Sequence, residues 1–181
     1  MKQIIALAAI SAVLAGCSSF PVGQYAPSDA NRAALAQLGA QGKVSVADFT
    51  AAKPGVTGIQ CRGAGQIKFP TGQTAEQYVT GALRKELTYS GLFAEKGSVR
   101  IAGNVQALDF NSNVGNAGWD FDVTVSNGAE SFRVQYQHRV KTSWMADRAC
   151  AAVAEQMVEA TQAFTQRVLS DPKFTAWVKA S

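Results

Sequence analysis

The sequence predicts an α+β two-layer sandwich: a mainly antiparallel sheet of about four strands carrying two long helices on one face, in the order β-α-β-β-β-α. Three observations predict it. Residues 98–110, 119–126 and 131–140 alternate apolar with polar side chains, the period of half-buried strands. Residues 75–87 and 150–168 repeat apolar side chains at three- and four-residue steps, the period of a helix face. The three strands follow one another with no helix between them, so they pair as antiparallel neighbours while the helices gather on one side.

Taken in order, the small, polar, proline-broken run from Ser18 to Pro27 reads as a tether. Ser28 or Asp29 can cap a short helix that Gly39 ends, and Lys43 to Phe49 reads as a buried strand. A loop follows, then a segment in which Ile67 and Phe69 alternate and Gly63-Ala64-Gly65 makes a tight turn. The spacing of those glycines fits neither the dinucleotide fingerprint nor the P-loop. Thr74-Ala75-Glu76-Gln77 is a capping-box sequence, so a helix starts there. Its apolar face is Ala75, Val79, Ala82, Leu83 and Leu87. Gly91-Leu92 stops it, the glycine in a left-handed turn and the leucine packing back.

In the first long strand Val99, Ile101, Val105 and Ala107 share a face, and Leu108 and Phe110 then switch parity, which predicts a bulge near Ala107. Asn127-Gly128 is a two-residue hairpin signal. It predicts the pairs Val123–Phe132, Phe121–Val134 and Trp119–Tyr136, with Asp122 opposite Arg133 on the outer face. Cys150, Val153, Met157, Ala160, Phe164 and Val168 make the stripe of the last long helix. Asp171-Pro172 then caps and opens a short helix carrying Phe174 and Trp177.

The first residues say where such a domain resides. Lys2 precedes an uncharged, mostly apolar run from Ile4 to Gly16, the layout of an export signal. The run falls short of the about 20 residues that span a bilayer. It ends in Leu14-Ala15-Gly16-Cys17, which resembles the lipobox of bacterial lipoproteins at all four positions. The resemblance implies a thioether-linked diacylglycerol on Cys17, cleavage before it and an acyl chain on the new amino terminus. Three chains exceed the two hydrophobic signals that stable attachment requires. Ser18 in place of an aspartate implies the outer membrane, and the periplasmic side is expected over the cell surface. The expected organisation is therefore a signal peptide over 1–16, an acylated cysteine, tether and short helix over 17–40, and a single domain over 41–181.

The formal charge is +4, one of it from Lys2, with no block of like charge, so nucleic acid has no electrostatic footprint here. The mature chain keeps Cys61 and Cys150 besides Cys17. An exported chain enters an oxidising space, where an even pair is usually bridged; two separate buried thiols are the alternative. A bridge closing roughly 90 residues destabilises the unfolded chain by about 4–5 kcal/mol in the loop-entropy picture.

No nucleophile–base arrangement is apparent. The single histidine, His138, falls on the inward face of its strand; Asp120 and Asp122 flank the inward Phe121 and read as a solvated face, with Asp109 nearby. No metal or cofactor is expected. Phe174 and Trp177 are the candidate partner-binding residues, and "CRGAGQIKFP" and "NSNVGNAG" are further candidate contact regions. The order of elements from Lys43 to Leu169 resembles, in topology only, the small periplasmic α+β lipoproteins that include LptE, LpoB and YajG. That resemblance implies a non-enzymatic accessory module, held at the membrane through Cys17, that binds an envelope protein or glycolipid. The alternatives are an envelope glycan- or lipid-processing hydrolase, which needs two acids converging in a cleft, and a surface-exposed adhesin or inhibitor.

Overall fold

The computed structural model describes residues 18–39 and 43–180, so the expected signal peptide and Cys17 lie outside it. In chain order the elements are β1 (Ser19–Pro21), α1 (Asp29–Ala36), β2 (Val44–Val46), β3 (Thr50–Ala51), β4 (Gly58–Cys61), β5 (Gly65–Lys68), α2 (Ala75–Tyr89), β6 (Val99–Asn111), β7 (Gly118–Ser126), β8 (Ser131–Arg139), α3 (Ala146–Glu155), α4 (Met157–Leu169) and α5 (Pro172–Lys179). The class is α+β, as expected, but the counts are not. The strands form a three-stranded sheet, β1-β5-β4, and a five-stranded one, β2-β6-β7-β8 with β3 also on β6.

The long antiparallel strands are where alternation put them. Trp119, Phe121, Val123 and Val125 of β7 are all buried, and the Phe121 ring stacks on Phe164 of α4 at 4.8 Å. Trp119 sends its indole N–H to the Val153 carbonyl at 2.8 Å, so the largest core side chain leaves no polar atom unpaired. The bulge also falls where expected, with the β6–β7 register shifting between Val105 and Ala107. It turns Ala107 outward, so Ala107 does not share the buried face of Val105.

The hairpin register differs from the expectation by two residues. Val123 pairs with Val134, Phe121 with Tyr136 and Trp119 with His138. The connection is not a two-residue turn. Ser126 pairs with Ser131, and the Asn127 side chain accepts from the amides of Ala129 and Glu130, closing a longer loop. Only Gly128 there has positive φ, whereas the expected tight turn needs two such residues. A slip of two preserves every face, because the side-chain period is two. Arg133 reaches Asp122 diagonally, at 2.6 Å from Nε.

α2 and α4 cover one face of the five-stranded sheet. The α2 capping box forms on both sides, between Thr74 and Gln77, and Gly91 takes φ 77° after the helix while buried Leu92 packs back. The last stripe is buried throughout, but the helix breaks at Gln156 into α3 and α4. The break lets α3 lie on β1 and β5 of the small sheet while α4 lies on β7 and β8 of the large one.

The tether reading of 18–27 is corrected. β1 pairs in parallel with β5, and Val22 and Tyr25 lie in the core. The segment that precedes α1 is therefore part of the fold, together with Leu35 of α1 itself.

Candidate functional site

Two features built by these elements stand out: a groove between the sheets and a loop cluster at one end.

The groove arises because β3 ends after two residues. Lys53-Pro54-Gly55 then turns the chain away from β6, with Gly55 at φ 80°. Its amide is caught by the Glu76 carboxylate at 3.0 Å. Burial pushes the Glu76 carboxyl up, but the amides of Gly55 and Glu76 itself and the Thr74 hydroxyl outweigh it and hold the group below its ordinary range. Among the described residues β6 consequently has no strand partner on that side beyond Val105. β4 is the last strand of its own sheet, so its outer edge too is unpaired among the described residues. The two edges border a groove of about 320 Å³, lined by Val56, Ile59 and Gln60 on one side and Ala107, Leu108 and Asp109 on the other. Its walls are mostly apolar, and Asp109 is the one carboxylate among its lining residues.

The loop cluster is held by Arg62, the one non-glycine residue with positive φ among those described, at 47°. Its guanidinium donates to the Ser112 carbonyl, to Ser112 Oγ at 3.0 Å and to the Trp144 carbonyl at 3.3 Å. Thr142 adds a bond to the Ser112 carbonyl at 3.2 Å. Beside Arg62, Cys61 is disulfide-bonded to Cys150, with Cα atoms 5.9 Å apart. The turn at 62–64, the loop at 112–117 and the loop at 140–145 thus form one unit. "CRGAGQIKFP" and "NSNVGNAG", expected separately as contact regions, meet here.

Phe174 and Trp177 do not supply an exposed contact surface. Phe174 is fully buried; Trp177 packs on Phe132 at 5.3 Å and donates to Glu130 at 3.1 Å. α5 caps the core beside α4, and burying these two rings is what holds it there. His138 is half-buried, its Nδ1 at 3.3 Å from the Tyr136 hydroxyl. Asp122 is clasped by Arg133, whose hydrogen bonds hold its carboxyl below the ordinary range, and Asp120 accepts from Gln137 at 2.7 Å. Both acids are committed to cross-strand partners. Trp144 and Met145, 85% and 52% exposed, were not singled out by the sequence. Their signal is an aromatic and a thioether in a segment with neither helical nor strand period.

No family model matches the chain, and no curated protein matches it. Among solved structures it resembles a protein from Xanthomonas campestris, XCC0632, of family DUF330, with a TM-score of 0.53 and 13% identity, over 90% of this chain and 99% of that one. At that identity the likeness is one of fold. A second solved structure, of an uncharacterized protein, superposes more loosely, with a TM-score of 0.43 and 10% identity over 83% of this chain and 99% of that one.

Proposed function

We propose that the chain is an outer-membrane-anchored periplasmic lipoprotein that acts without catalysis, as an accessory module taking an extended segment of an envelope protein into the groove between β4 and β6. The observation that supports this reading is the pair of unpaired strand edges facing one apolar groove. An edge strand presents free N–H and C=O groups, and an added strand satisfies them while its alternate side chains enter the pocket between. Here Val56, Ile59 and Leu108 supply that pocket. A hydrolytic reading would need two convergent acids, and Asp109 is the one carboxylate among the groove's lining residues.

Two experiments test the halves of the proposal. Metabolic labelling with a palmitate analogue marks the native protein, and Cys17→Ser abolishes the mark; label retained in that variant refutes acylation at Cys17. For the groove, a photo-crosslinker at Gln60 captures an envelope protein. Ala107→Trp fills the groove from an exposed position, so it leaves stability within about 0.5 kcal/mol but removes the adduct and fails to complement a deletion strain. Ala36→Trp, exposed on α1, leaves both intact. An undiminished adduct with Ala107→Trp would place the contact elsewhere.

A further inference from the structure

We infer that the loop cluster around Trp144 and Met145 is a membrane-docking tip that rests on the phospholipid bilayer beside the lipid anchor. The inference builds on the proposed acylation of Cys17 and adds an orientation and a second contact to it.

The reasoning begins at Ser18. Its carbonyl accepts from the Gln66 amide at 3.2 Å, and β1 starts at the next residue. Gly65 permits this approach: a Cβ there would stand 2.0 Å from the Ser18 oxygen. The residue before Ser18 is therefore about 3.8 Å along the chain from a fixed point of the fold. A lipid on Cys17 would be joined to the chain one residue before this fixed point, so whichever loops share the Ser18 end of the domain are brought near the headgroups.

Those loops are the ones Arg62 ties together. Gly65 pairs with Cys61, and Cys61 is bridged to Cys150 in the middle of α3, which packs on β1. Past the far ends of both elements, a Cβ on Gly23 would stand 3.2 Å from Val158, the second residue of α4, so the chain through α3 runs in the same direction as the chain through β1. The beginning of α3, with Trp144 and Met145 just before it, thus lies at the Ser18 end.

The surface chemistry is concentrated there too. Four large hydrophobic side chains are exposed among the described residues: Val114, Trp144, Met145 and Tyr89. The first three belong to this tip. Tyr89 lies elsewhere, its hydroxyl on Asp29 and its ring under Arg32. Arg139, Lys141 and Arg148 are exposed around the tip, against Asp147. An exposed amphipathic indole in a segment that also carries exposed cations suits the interfacial zone of a bilayer containing anionic phospholipid. The bilayer is the occupant because the chain enters the fold at this same end.

The test uses the full native protein purified from membranes, its acylation read by mass spectrometry, in vesicles of phosphatidylethanolamine and phosphatidylglycerol. The difference in emission between native protein and Trp144→Phe isolates Trp144, since Trp119 is buried and Trp177 packs near the far end of β8. In vesicles, the Trp144 signal is expected to shift to the blue, to be quenched by brominated phospholipid and to lose several-fold of its accessibility to acrylamide. Trp144 as accessible as N-acetyltryptophanamide overturns the docking tip; if the protein is acylated in that case, the anchor stands and only the tip falls. Protection without acylation keeps the tip and removes the anchor. Protection in native envelopes but not in protein-free vesicles points to a protein occupant and overturns the bilayer.

Discussion

Replacing Cys61 and Cys150 together by alanine is expected to cost about 4–5 kcal/mol of folding free energy. The bridge joins residues separated by 89 positions, and cross-linking a loop of that length removes about that much from the unfolded chain's conformational freedom. Both cysteines are fully buried, so alanine avoids placing a hydroxyl in the core, at the price of some packing. Against a typical total of about 5–15 kcal/mol the loss is large. Urea unfolding checks it: the midpoint falls, and the slope steepens because the unfolded chain, freed of its link, exposes more surface. A midpoint unchanged from the oxidised protein would show that the bridge does not stabilise the fold. The local effect should be greatest at the tip, where amide exchange around Arg62 and in the 140–145 loop is expected to rise first.

Glu86→Leu is expected to be nearly as damaging, by about 3–5 kcal/mol, because it strands donors in the core. Glu86 is fully buried on α2. Its Oε1 accepts from the Tyr25 hydroxyl, from the Ser28 amide at 3.0 Å and from Asn31 Nδ2 at 2.9 Å. Asn31 and Tyr25 also reach Thr165 of α4, at 3.2 Å and 3.3 Å. Glu86 and Thr165 together fasten residues 25–31 to two core helices, α2 and α4. Burial above all, and the hydrogen bond to Glu86 after it, push the Tyr25 phenol well above its ordinary value, which favours the protonated, donating form. Glu86→Gln keeps an acceptor at Oε1 and should cost less, about 1–2 kcal/mol. Thermal or urea unfolding of the two variants separates the cases; equal stability in both would mean the network carries no weight. The leucine variant is also expected to raise proteolysis within 22–31 before the rest of the domain unfolds.

The sequence by itself determined the elements whose information is local and long enough to repeat. α2 is bounded by its capping box and by Gly91-Leu92, and α5 by Asp171, whose side chain accepts from Lys173. The faces of β6, β7 and β8 follow from alternation over 9 to 13 residues, including the bulge before Ala107. The disulfide followed from counting thiols in a chain that reads as exported. Tertiary structure decided what lies in pieces too short to carry a period. β1 and β3 have two or three residues each and went unread as strands, and β2, read within Lys43–Phe49, gave no sign of its partner; all three pair in parallel with strands far along the chain, where no turn sequence announces the pairing. The groove is the space left where β3 stops, so no residue pattern encodes it. The hairpin register turned on the Asn127 side chain bonding within its own loop, which sequence shows only as an asparagine before a glycine. Trp177 illustrates the last limit: its aromatic surface and terminal position suit a partner or a core equally, and the proximity of Phe132 and Glu130, fixed by the β7–β8 hairpin, settled it in favour of the core.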